Sequence, residues 1–121
     1  MMATTARTTR EVLDLYNQAF RLHDPVLLEG LIADDCVIED TSPAPDGARH
    51  EGGRACLARW SGLAADRALT FSTEPAEIHG DLAVAPWALH WGEGEHDRVR
   101  GVNLIRVRDG KIVEARGYVK A

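Results

Sequence analysis

Long apolar runs are missing from this chain of 121 residues. No stretch approaches the roughly 20 residues of a membrane span, so no membrane role is expected. Cysteine is scarce: two residues, Cys36 and Cys56, are too few for a disulfide scaffold. Both sit in apolar surroundings and read as buried, inert thiols. No basic-then-apolar leader opens the sequence, Met1–Thr9 being small and polar, and the cytoplasm is the expected compartment. An excess of positive charge is also missing. With 14 basic and 19 acidic residues the net charge is −5, which gives no support to a nucleic-acid footprint.

The usual motifs of cofactor chemistry are missing too. The five histidines, His23, His50, His79, His90 and His96, make neither an HxxxH nor an HExxH spacing, so no metal is expected. There is no GxGxxG and no Walker A loop, and Ser42 and Ser61 lack a nucleophile-elbow context. No cofactor is expected. What remains, 45% apolar and 27% charged residues, is the composition of one globular domain over residues 1–121. A chain of this size can bury one core and one small-molecule cavity.

Thr8-Thr9-Arg10-Glu11 fits a capping box, and Val12, Tyr16, Ala19 and Phe20 continue with helical spacing to about Leu22. Asp24-Pro25 predicts a second, shorter helix capped by Asp24. Cys36–Asp40 reads as a strand. Residues 41–53, with Pro43, Pro45, Gly47, Gly52 and Gly53, read as a loop and a candidate lid. Arg54–Ala65 is helical again, with Cys56, Trp60 and Leu63 on one stripe. Strands are then predicted over 69–78, 82–91, 98–108 and 111–120, with turns at Gly80-Asp81 and Asp109-Gly110. Pro75 marks an edge or a bulge. Three helices against a mixed, mainly antiparallel, curved sheet is an α+β fold.

Asp40 closes a hydrophobic strand on the face of Cys36 and Ile38. An acid there loses solvation and gains basicity, which suits a general base. Taken locally, Asp40-Thr41-Ser42-Pro43 fits an Asx-turn at least as well. On the strand over 98–108, Val99, Gly101, Asn103 and Ile105 share a face, and Asn103 is its only polar side chain. Such a residue is either a structural asparagine bonded to Tyr16 or backbone, or it meets a ligand. Ala85, Trp87, Leu89 and Trp91 share the neighbouring face. Tyr16 is either a core tyrosine or a donor into a cavity.

The segment Ala33-Asp34-Asp35-Cys36-Val37-Ile38-Glu39-Asp40 resembles the one that ends in the catalytic aspartate of the ketosteroid isomerases. These belong to the nuclear-transport-factor-2-like, or SnoaL-like, superfamily of cone-shaped α+β domains. Ala85-Pro86-Trp87 resembles the family's pocket-lining strand, and Arg100–Tyr118 its closing hairpin. The resemblance implies Asp40 as general base and Tyr16 as oxyanion donor. It places Asn103 where the isomerases keep a protonated aspartic acid. It further implies that Phe20, Trp60, Leu63, Phe71, Trp87 and Val119 hold the apolar body of a small hydrophobic carbonyl compound. The implied activity is cofactor-independent proton transfer, in an isomerase or a polyketide cyclase. Alternatives are a non-catalytic small-molecule binder of the same fold and an epoxide hydrolase or epoxide-opening cyclase. Val102, Leu104, Arg100, Arg106, Ile112, Glu114, Arg116 and Tyr118 are expected on the outer sheet face, where a homodimer would form.

Overall fold

The structure, a computed structural model, describes residues 6–120. Helix α1 covers Thr9–Arg21 and begins with the expected capping box. The Glu11 amide donates to Thr8 Oγ1 at 3.1 Å, and the Thr8 amide donates to Glu11 Oε1 at 2.8 Å. Its buried stripe is Val12, Leu13, Tyr16, Ala19 and Phe20. Where a second α-helix was expected there is one 3₁₀ turn, Pro25–Leu28. Asp24 makes no side-chain cap there, and Gly30 at φ 75° bends the chain away two residues after the turn. Among the described residues the fold therefore has two α-helices and a 3₁₀ turn rather than three helices.

Strand β1 spans Ile32–Glu39, four residues longer at its start than the sequence suggests. The pairing shifts register between Ile32 and Val37. That irregularity leaves the consecutive Asp34 and Asp35 both exposed and hides the strand's alternation. Strand β2, Arg49–Glu51, forms inside the loop region and pairs antiparallel with β1. Helix α2 follows over Gly53–Ala65. The strand predicted over 69–78 is broken in two, β3 (Thr70–Thr73) and β4 (Glu77–His79). Pro75 lies in the break, where its missing N–H cannot join a ladder. Strands β5 (Leu82–His90), β6 (Arg98–Arg108) and β7 (Lys111–Val119) complete the sheet. Asp109 and Gly110, at φ 52° and 75°, make the tight β6–β7 turn foreseen from the Asp-Gly pair.

The sheet order is β2-β1-β7-β6-β5-β3, with β4 beside β3 on the β5 edge. Among the described residues only the β1–β7 pair is parallel. Both helices pack on one face: α2 on β1, and α1 against β3, β5 and β6. The core between layers holds Leu13, Leu28, Leu31, Ile38, Ile105 and Ile112, all at most 2% exposed. Each such side chain stabilises the fold by about 1.5–3 kcal/mol relative to exposure. Cys36 and Cys56 are both at 0% exposure, free, and held above the ordinary thiol range chiefly by burial.

The register sorts the long strands by face. Ile38 pairs with Ala115, Ala115 with Ile105, Asn103 with Gly117 and Ala85 with Asn103. These residues face the helices. The outer face carries Val84, Pro86, Val102, Leu104 and Tyr118, bordered by the Arg100–Glu74 and Arg106–Asp81 ion pairs. Ile112, expected on that face, is instead fully buried in the core, because the β6–β7 pairing shifts register between Arg106 and Val107.

Candidate active site

Between the helices and the inner sheet face lies a cavity of about 190 Å³. Asp40, Tyr16, Asn103, Phe20, Trp60, Leu63, Phe71 and Trp87 all line it, although they come from both helices and four sheet regions. Val119 does not. It is 41% exposed, at the open end of β7 in a shallow depression with Tyr118 and Lys120. The Trp87 indole lies over Gly101, the ladder partner of Val119, and closes the wall short of it. Trp91 likewise leaves the expected row, because β5 ends at His90 and Trp91 is 49% exposed.

Three polar side chains form a chain along one wall. Trp87 Nε1 donates to Asn103 Oδ1 at 3.0 Å, and Asn103 Nδ2 donates to Tyr16 Oη at 3.2 Å. The two contacts fix the orientation of the amide. They also leave the Tyr16 hydroxyl proton without an acceptor among the described residues. Tyr16 is 6% exposed, packed against Phe20 and Trp60 with ring centroids 4.8 Å and 5.0 Å away. Burial holds its phenol well above the ordinary tyrosine range, the Asp40 charge adds to this, and the Asn103 hydrogen bond opposes it. The hydroxyl is thus a neutral, buried donor. Gly117 keeps the wall open: a Cβ there would lie 2.9 Å from Thr41 Cγ2 and 3.0 Å from Asn103 Oδ1.

Asp40 follows β1 directly, and its backbone is tied to the loop. The Asp40 amide donates to the Ala48 carbonyl at 2.8 Å. Gly47, at φ 79°, passes so close that a Cβ would overlap the Asp40 carbonyl. The loop expected as a lid is hydrogen-bonded back onto itself, Ala48 N to Ser42 O and Gly47 N to Pro43 O, while Thr41 and Ser42 line the cavity.

Burial does not leave the Asp40 carboxylate bare. Its side chain is 12% exposed, and Oδ2 receives Arg59 Nε at 2.9 Å and contacts His50 Nε2 at 2.9 Å. These partners offset the solvation that burial removes. Oδ1 has no hydrogen-bond partner among the described residues. His50 lies outside the cavity lining, whereas Arg59 is part of it.

Neither His50 nor Arg59 stood out in the sequence. Arg59 did carry a signal: it occupies the i+3 place of the stripe Cys56, Arg59, Trp60, Leu63, a charge on the inward side of an otherwise apolar row. His50 carried none, because its place opposite Ile38 depends on β2 forming.

A family model for the SnoaL-like domain matches residues 12–115. No protein with curated function matches the chain. A crystal structure of an NTF2-like protein of unknown function from Mesorhizobium loti is 45% identical, covering 100% of this chain and 98% of that one, with a TM-score of 0.87. A candidate polyketide cyclase from Sinorhizobium meliloti is 24% identical over 88% of this chain and 92% of its own (TM-score 0.70). An epoxide hydrolase of the LEH-like kind from M. tuberculosis is 19% identical over 93% and 82% (TM-score 0.70). The last two share the fold. Among the described residues no helix is long and apolar enough to cross a membrane.

Proposed function

We infer that this chain, which belongs to the SnoaL-like domain family and has its NTF2-like fold, is a cofactor-independent proton-transfer enzyme. Its substrate is a small hydrophobic carbonyl compound. Asp40 takes a proton from the carbon next to the carbonyl, and the Tyr16 hydroxyl receives the developing enolate oxygen, with Asn103 behind it. The observation that carries this reading is a pairing. An unpartnered carboxylate oxygen, Asp40 Oδ1, and an unspent hydroxyl proton, on Tyr16, belong to side chains lining one apolar cavity. A scaffold that only dimerised would have no need for either.

The enolate can be reprotonated at another carbon, as in an isomerase, or attack a second carbonyl of the same molecule, as in a cyclase. The cavity is below the roughly 300–1,000 Å³ of pockets for drug-sized ligands, which favours compounds of one or two rings. Epoxide opening is disfavoured by the acids present. Besides Asp40 the cavity lining holds one other acid, Glu39, and its carboxylate is engaged by Arg49 at 3.0 Å.

The test is exchange of the α-protons of 2-tetralone in D₂O, followed by NMR. The wild-type protein accelerates exchange over buffer, and a rate equal to buffer counts against the assignment. The same reading gives the outer sheet face, Val84, Pro86, Val102, Leu104 and Tyr118 within a charged border, to a twofold homodimer.

A further inference from the structure

We propose that Arg59 is an anion-holding subsite within this cavity, so that the substrate is an acidic carbonyl compound carrying a carboxylate close to its reacting carbon. This rests on the reading of the cavity as a substrate site and adds to it the class of substrate. Three observations carry it. Arg59 lines the cavity from α2, next to Trp60, with its side chain 38% exposed. Only its Nε is spent, on Asp40 Oδ2 at 2.9 Å, and neither terminal nitrogen has a hydrogen-bond partner among the described residues. Asp40 Oδ2 also has His50 Nε2 at 2.9 Å, so Arg59 is not its only hydrogen-bond partner.

The geometry of the group selects the ligand. With Nε committed, the two terminal nitrogens present a planar fork, which matches the two oxygens of a carboxylate. A general base alone would not require an arginine in the lining. An arginine placed there purely to support Asp40 could do so from behind, as His50 does from outside the lining. Arg59 instead belongs to the cavity lining while it holds Asp40, so its unspent fork is available to a ligand carboxylate in that cavity. The apolar walls, Phe20, Leu63, Phe71 and Trp87, then take the body of the ligand.

The experiment is calorimetric titration of the full chain with 2-naphthoate and with 2-naphthamide at pH 7.5, a pair of probes equal in shape and different in charge. The wild type should bind naphthoate about tenfold or more tightly than the amide, as expected for a hydrogen-bonded ion pair at a partly buried site. In Arg59→Gln the two affinities should converge to within about twofold. A second measurement needs no variant: raising salt should weaken naphthoate binding to the wild type and leave the amide alone. Equal wild-type affinities, binding of neither probe, salt-insensitive naphthoate binding, or a preference that survives in Arg59→Gln each overturn the proposal. Failure of the base assignment looks different. It shows as absence of 2-tetralone exchange with the naphthoate preference intact.

Discussion

Replacing Tyr16 by Phe removes one oxygen atom and separates two roles that the structure superimposes. The hydroxyl accepts from Asn103 Nδ2 at 3.2 Å, so Tyr16→Phe leaves that N–H without its partner. An orphaned buried donor costs about 1–3 kcal/mol, and the adjoining cavity, which water can enter, puts this one at the lower end. For a domain of this size 1 kcal/mol corresponds to a fall of about 3–6 °C in Tm. The catalytic effect should be larger. Loss of one oxyanion donor is worth about 2.7–4 kcal/mol, or 10²–10³ in rate. Because Tyr16→Phe frees the Asn103 N–H, and Asn103 itself lines the cavity, that amide can take over part of the role, and a fall of about 100-fold in 2-tetralone exchange is expected, at the lower end of that range. Scanning calorimetry reads the first effect and NMR exchange the second. A Tm that falls by the stated amount with exchange within about threefold of wild type would refute the reasoning. Tyr16 would then be a core tyrosine and no more.

Three further outcomes follow. Gly47→Ala should lower stability by about 1–3 kcal/mol and slow exchange, since a side chain at φ 79° would displace the backbone of Asp40; urea unfolding at an unchanged midpoint would contradict this. Stability should fall as pH rises above about 9, because burial raises the Cys36 thiol and the native state then holds a proton that the unfolded chain releases. Above pH 10 the Tyr16 phenol adds a second loss of the same sign, and Tyr16→Phe should flatten that part of a urea-midpoint-against-pH curve. Leu104→Glu on the outer sheet face should convert a dimer to a monomer in light scattering at micromolar concentration without lowering Tm by the amount expected of a core change; a wild type that is already monomeric removes the dimer from the account.

The parts of the fold that could be read in the sequence are those set by neighbours along the chain. Thr8 and Glu11 are three residues apart and cap α1 by themselves. Asp109-Gly110 makes its turn because both positions need φ > 0. The period of two placed Asn103 on the inner face, since β6 runs from Arg98 to Arg108 without a break on either side of it. The features that could not be read depend on distant pairing. β2 forms in a segment rich in proline and glycine only because β1 offers it an edge, and that pairing brings His50 to Asp40. Arg59 reaches Asp40 across 19 positions of sequence, a contact that no local rule predicts. The Asp24-Pro25 start signal was genuine, but four residues before a turn at Gly30 allow only a 3₁₀ turn.

The base assignment meets its most direct test in Asp40→Asn, measured two ways on one sample. One reading is 2-tetralone exchange in D₂O, and the other is affinity for 2-naphthol, which imitates the enol of the same ketone. The substitution keeps the shape of the side chain and removes its capacity to accept a carbon-bound proton. Exchange should fall to the buffer rate while naphthol binds as tightly as to wild type or more tightly, since one buried charge is gone. Exchange that persists in Asp40→Asn, or that disappears together with naphthol binding, would contradict the assignment of Asp40 as the base.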